Sequence, residues 1–300
     1  METRGASWSR VDCSRERQRH SGSRLTRTQD EGYNADMLSG ERLRAWIPAG
    51  ALGEHLYYEA SLGSTNDRAK QLAESGCPDG TLVVADEQTA GRGREGRSWF
   101  TPAGAALAFS VVLRPRNSSP DEIGGWTAVG ALSVCRALQR LGAQADVKWP
   151  NDVLLSRRKV AGVLAEAAWQ GQAAEFVIIG VGVNVREEAV PGPRTLDYPA
   201  TSVETCLGRR VDRAELLSSI LAALGRWTAG FRLSEVLGAW EAALAFRGET
   251  VHVEGAGRAW QGRLSGLGPR GELRLRLDNG DSLLLPAEAM HLRPVDSGPV

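Results

Sequence analysis

The stretch "DVKWPNDVLLSRRKVAGVLAEAAWQGQAAEFVIIGVGVNV", residues 146–185, decides the fold class. It reads as three strand-like runs, "DVKWPNDVLL", "KVAGVLAEAAW" and "EFVIIGVGVNV", rich in Val, Ile, Leu and Ala. The spacers between them are too short for the crossover helices that parallel neighbours require. Pro150 inside the first run implies an edge or a bulge, because proline cannot donate to a strand ladder.

Outward from this block, strands and helices alternate. "TLVVADEQ" and "ALAFSVVLRP" read as two more strands. "STNDRAKQLAESG" (64–76) has a capping start, apolar residues at helical spacing and a terminating Gly76. Gly124 to Leu141 is helical, with Trp126, Val129, Leu138 and Leu141 on one face. Asp212 and Glu215 make a capping box ahead of Leu216, Leu217, Ile220, Leu221 and Leu224, and a further helix contains Leu237, Trp240 and Leu244. This pattern predicts an α+β fold: a mixed or antiparallel central sheet packed with helices. From about Arg247 the spacing shortens. "ETVHVEG", "AWQGRLSGLG", "ELRLRLDNG" and "SLLLPAEAMHLRP" read as short strands with glycine turns, the size of a small SH3-like β-barrel. The expected division is residues 1–36, 37–246 and 247–300. The first segment holds seven arginines against three acids up to Gln29, has no apolar period, and is expected to be a disordered extension.

Composition narrows the function. The chain has 300 residues, is 42% hydrophobic and carries a formal net charge of zero, so an anion site must come from local clustering. Four scattered cysteines, without a CxxC pair, suit a reducing compartment better than a disulfide frame or zinc site. Four scattered histidines argue against a histidine metal site. No apolar run approaches membrane-spanning length, and the N-terminus lacks a signal-peptide core; a cytoplasmic location is expected.

The local clustering is in "AGRGREGRSWF", residues 90–100, between two predicted strands. Its glycines are costly to order and its arginines repel one another, yet together they suit an anion: backbone N–H groups can approach it and guanidinium groups can fork onto it. A solvated surface turn is the alternative. "VKWPNDVLL" places Lys148 before Pro150 and Asn151 and Asp152 after it; a strand ending in a polar turn would look the same. Ser64, Thr65 and Asn66 could simply cap a helix. "GVGVNV" (180–185) is no dinucleotide fingerprint, and reads either as a strand approached closely by a ligand or as a plain buried one.

In this order, "STN", "DEQTAGRGREGRSW", "KWPND", "KVAGVLAE" and "GVGVNV" resemble the catalytic domain of biotin–protein ligases from about residue 55 to 207. The segment from about 247 resembles that family's small C-terminal domain. The resemblance implies a class II synthetase-like catalytic domain that converts biotin and ATP to biotinyl-5′-adenylate. It further implies transfer of the biotinyl group to a lysine of a biotin carboxyl carrier domain. It places Ser64, Thr65, Asn66, Gln88, Arg92, Gly93, Arg94 and Lys148 around biotin, with Lys148 and Arg94 catalytic, and Arg97, Trp99 and Asn184 on the nucleotide. Lys159 is a weaker candidate for phosphate contact. Asp152 either holds Lys148 or receives the incoming lysine's proton. Mg²⁺ is expected with ATP, without a dedicated protein cage. No pair of amphipathic helices precedes residue 55, so the short, monofunctional type is expected, with no nucleic-acid or membrane partner and a homodimer left open. Lipoate–protein ligase is the nearest rival reading; a non-enzymatic DNA-binding repressor using the arginine-rich arm is the rival from another class.

Overall fold

Residues 145–184 form four strands rather than three: β4 (Ala145–Lys148), β5 (Asp152–Leu155), β6 (Arg158–Gln170) and β7 (Ala173–Asn184). The first run folds back on itself at Trp149, Pro150 and Asn151, where the Trp149–Pro150 peptide is cis. Pro150 thus sits in the reversal between two antiparallel strands, where its missing N–H is not needed by a ladder. β4 is itself a sheet edge.

A computed structural model describes residues 37–116, 118–171, 173–192, 196–255, 257–287 and 290–295. Residues 1–36, on which the expected extension falls, lie outside that set. Ahead of the four strands come β1 (Leu56–Leu62), β2 (Leu82–Gln88) and β3 (Ala106–Leu113). Among the described residues these seven make one sheet in the order β1-β2-β3-β7-β6-β5-β4. Only β1 and β2 pair in parallel, so the sheet is mixed, as the short spacers require. β1 was not legible as a strand: Tyr57, Ala60 and Ser61 are exposed along it, and an edge strand shows little apolar alternation.

The sheet is buried on both faces. Val83, Val112, Phe176 and Ile178 face α2 (Thr65–Glu74) through Ala69 and Ala73. Their neighbours Val84, Val111 and Ile179 point the other way, into the main core. The period-2 alternation of strand side chains thus serves two layers at once. The main core is completed by α3 (Ile123–Arg140) and α5 (Arg213–Thr228), preceded by α1 (Gly40–Trp46) and α4 (Val203–Leu207) and followed by α6 (Leu233–Ala242). Leu216, Leu217, Ile220, Leu221 and Leu224 of α5 are all buried, and Asp212 caps the helix by accepting the N–H groups of Ala214 and Glu215. Such a cap contributes roughly 0.5–2 kcal/mol.

From Thr250 a second, five-stranded antiparallel sheet follows: β8 (Thr250–Gly255), β9 (Arg258–Leu267), β10 (Leu273–Arg276), β11 (Ser282–Leu285) and β12 (Met290–Pro294), ordered β11-β10-β9-β8-β12. It matches the expected SH3-like unit, with the last predicted run divided into β11 and β12. The two units touch directly at the β4–β5 reversal and at the β5–β6 turn. The Trp149 indole donates to the carbonyl of Gly271 at 2.9 Å, and Arg157 forks onto Glu249 at 2.8 and 2.9 Å. No helix among the described residues is long and apolar enough to cross a membrane.

Candidate active site

The end of β2, the neighbouring faces of β6 and β7, the start of α2 and the β4–β5 reversal surround a cleft of about 120 Å³. An adjoining chamber of about 890 Å³ shares a wall with it. The first chamber is lined by Ser64, Thr65, Asn66, Gln88, Arg92, Gly93 and Arg94, and the second by Phe100, Asn184, Val190 and Tyr198. Arg97, Trp99, Lys148, Asp152, Lys159 and His291 belong to both. Every sequence-predicted site residue therefore lines one connected space.

The inner end of the first chamber is a prewired polar network. Gln88 Oε1 accepts the backbone N–H of Thr65 at 2.8 Å and its hydroxyl at 3.1 Å, while Gln88 Nε2 donates to Thr101 Oγ1 at 3.1 Å. Asn66 Nδ2 donates to Glu166 at 2.6 Å and to the carbonyl of Leu164 at 3.3 Å. Ser110 Oγ lies 2.6 Å from Asn66 Oδ1 and 2.8 Å from Thr65 Oγ1. Helix capping does not account for this cluster, since the Ser64 side chain makes no capping bond. Ser110 and Glu166 were not singled out from sequence, because their partners lie 44 and 100 residues away along the chain.

Two glycines of β7 make room for two of these side chains. A Cβ at Gly180 would overlap the Asn66 amide, and one at Gly182 would overlap the Trp99 indole. The close approach expected at "GVGVNV" is thus made by side chains of the protein itself. The Trp99 ring lies over this strand with its Nε1 buried and without a hydrogen-bond partner among the described residues.

The arginine loop is folded into a small hairpin. Arg92 bridges Ser98, Gly93 N–H donates to the carbonyl of Arg97 at 2.7 Å, and Trp99 N–H donates to that of Gly91 at 2.8 Å. Its tip turns at Glu95 (φ 58°) and Gly96 (φ 73°). The left-handed conformation is easy for glycine and costs roughly 1–2 kcal/mol for a residue with a Cβ. Nor are its arginines without counter-charges. Arg92 pairs with Asp67 at 2.7 Å and Glu166 at 2.9 Å; Arg94 donates to the carbonyl of Ala287 in the C-terminal unit; Arg97 lies 3.4 Å from both Glu95 and Asp197. The expectation of mutually repelling cations is corrected: acids from three segments accompany them.

Two lysines meet one carboxylate on the shared wall. Asp152 lies 3.3 Å from Lys148 Nζ and 2.6 Å from Lys159 Nζ. Lys148 also sits over the Tyr198 ring at 4.6 Å, and Lys159 over the Trp99 ring at 5.3 Å. Burial pushes the Lys148 ammonium below its usual range, with Asp152 opposing and Lys159 and Arg97 adding to the shift. Burial pushes the Asp152 carboxyl up, but the two lysines outweigh it and hold the group below the usual carboxylate range. Asn184 is buried and donates to the carbonyl of Thr201 at 3.1 Å. His291, reaching in from β12, was not anticipated. Among the described residues no group of three or more His, Cys, Asp or Glu side chains could hold a metal ion.

Residues 58–184 match the biotin/lipoate A/B protein ligase family. The chain is 31% identical over 296 residues to the bifunctional ligase/repressor BirA of Bacillus subtilis, covering 95% of this chain and 89% of that protein. It is 36% identical over 244 residues to the biotin--[acetyl-CoA-carboxylase] ligase of Paracoccus denitrificans, covering 76% of this chain and 97% of that protein. The solved biotin protein ligase of Aquifex aeolicus in complex with biotin and ATP superposes with a TM-score of 0.67 at 30% identity, over 80% of this chain and 99% of that one.

Proposed function

We propose that this chain, which belongs to the biotin–protein ligase family, activates biotin with ATP and transfers it to a lysine of a biotin carboxyl carrier domain. One observation carries the reading. The uncharged donors and acceptors of Ser64, Thr65, Asn66 and Gln88 line one chamber, a second, larger chamber adjoins it, and the cations Lys148, Lys159 and Arg97 stand on the wall they share.

In this reading the ureido ring of biotin lies against Ser64, Thr65, Asn66 and Gln88, whose hydroxyls and amides suit a neutral polar ring. Arg92, Gly93 and Arg94 close over the acyl chain. Adenosine fills the second chamber, with Trp99 as a flat face and Arg97 and Asn184 beside it. The biotin carboxylate then meets the α-phosphate at the shared wall. Two anions approaching head-on repel, and Lys148 and Arg94 relieve that repulsion as charge develops. A carboxylate oxygen attacks the α-phosphorus and the bond to pyrophosphate breaks. In the second step the acceptor lysine, as its free amine, attacks the acyl carbon; the bond to AMP breaks and the amine's proton passes to solvent. Asp152 serves as the holder of Lys148 and Lys159, because its oxygens are occupied by two ammonium groups and it is held ionised. Mg²⁺ enters as part of the ATP substrate, on phosphate oxygens.

The polar chamber favours biotin over lipoate. An apolar dithiolane ring would leave the remaining donor of Gln88 and the Ser64 hydroxyl unmatched, which costs binding energy. We read the chain as the short, monofunctional type of ligase, acting in the cytoplasm. The test is radioactive pyrophosphate–ATP exchange with each acid. Exchange with biotin and none with lipoate is expected; the reverse result, or exchange with neither, overturns the reading.

A further inference from the structure

His291 is the one histidine on the wall of the cleft, and it comes from the C-terminal sheet. Its ring nitrogens lie 2.6 Å from Arg97 Nη2, and its Nε2 lies 3.0 Å from Glu95 Oε2. Arg97 can only donate, and Glu95 as a carboxylate can only accept. Nε2 faces the Glu95 carboxylate, which leaves Nδ1 as the ring nitrogen able to accept from Arg97. Glu95 also stands 3.4 Å from Arg97 and occupies the left-handed turn at φ 58°. Contacts with His291 and Arg97 offset the cost of that conformation. Asp197, 3.4 Å from Arg97 Nη1, holds the guanidinium from the rim of the second chamber.

We infer that His291 is a positioning residue for the first reaction step: the C-terminal unit uses it to hold Arg97 toward the nucleotide chamber. The inference rests on the ligase reading above. It makes the C-terminal unit a contributor to ATP use while leaving the biotin end, built from α2, β2, β6 and β7, to the catalytic unit. The charged groups around the ring are Arg97 and Glu95 on the hairpin, Asp197 beyond Arg97, and Lys148, Asp152 and Lys159 on the shared wall. On β8, Glu254 is its cross-strand neighbour and is engaged by His252 at 2.8 Å.

The test compares the full chain with His291→Ala and His291→Asn, using biotin-dependent pyrophosphate exchange with ATP and biotin varied in turn. Losing one partner of a charged hydrogen bond predicts a rise of about tenfold in KM for ATP in His291→Ala. KM for biotin should stay within about twofold. His291→Asn restores an acceptor and should recover most of the loss. Unchanged KM for ATP, an equal rise for both substrates, or a His291→Asn variant as impaired as His291→Ala overturns the inference. A parent with no exchange overturns the ligase reading instead. In that event calorimetric binding of ATP to parent and His291→Ala still decides the role of His291: about tenfold weaker binding supports it, and equal binding ends it.

Discussion

Asp152 Oδ2 lies 3.3 Å from Nζ of Lys148, in a buried ion pair whose other carboxylate oxygen is held by Lys159 at 2.6 Å. The triad is asymmetric: removing Lys148 leaves a paired carboxylate, whereas removing the carboxylate leaves two cations.

Asp152→Asn should therefore destabilise the protein by about 3–5 kcal/mol, the usual cost of stranding a buried charge, and Lys148→Ala by less. Asp152 has a lowered carboxyl pKa in the folded state, so its stabilisation is complete above the unfolded carboxylate value of about 3.9 and disappears as pH falls through the lower folded value. Urea unfolding should show a parent–variant gap that is constant at neutral pH and closes only in strong acid. A gap that closes near pH 6 contradicts the assignment.

Lys148→Ala should keep the fold and slow adenylate formation more than it weakens biotin binding. A cation matched to developing charge acts mainly in the transition state, and losing such a donor typically costs about 2.7–4 kcal/mol. Single-turnover adenylation, alongside biotin calorimetry, measures both. Normal adenylation in the variant removes Lys148 from the chemistry.

Gly180→Ala and Gly182→Ala should separate the two chambers. The first displaces Asn66 and should raise KM for biotin with little change for ATP; the second displaces Trp99 and should do the opposite. Overpacking of this kind costs roughly 1–3 kcal/mol, read as the matching rise in each KM. Equal effects on both substrates would refute the division of the site.

Arg94→Ala should loosen retention of the adenylate, a charged hydrogen-bonding partner being worth roughly 1.5–3 kcal/mol. Escaped adenylate acylates lysines indiscriminately, so the variant should biotinylate an added bystander protein that the parent spares. Because Arg94 donates to Ala287, hydrogen exchange should also rise at Ala287. A variant as selective as the parent discards the clamp.

Much of this architecture is legible in the sequence because it is local. The apolar runs of β3 and β7, the helical spacing in α3 and α5, and the Asp212 cap are each contained within a few residues. The arginine loop's affinity for anions is read from residue type, whereas the role given to Lys148 rests on the family resemblance. What stayed hidden is non-local. Glu166 meets Asn66 across 100 residues and His291 meets Arg97 across 194, and neither has a spacing that a linear pattern could reveal. β1 hid for another reason: as an exposed edge it buries little on either face. The loop's counter-charges were missed because Asp67, Glu166 and Asp197 arrive from three separate elements.

The seat that Gly182 provides for Trp99 has a consequence for redesign. In the ligase reading, the floor of the proposed nucleotide chamber is a side chain resting on bare backbone, so its depth can be altered without moving a strand. Trimming Trp99 to leucine would open a recess above Gly182 shaped for a purine carrying an extra substituent. Such an enzyme would draw on a synthetic nucleotide that ATP-using neighbours ignore, and its labelling could be switched on by supplying that compound.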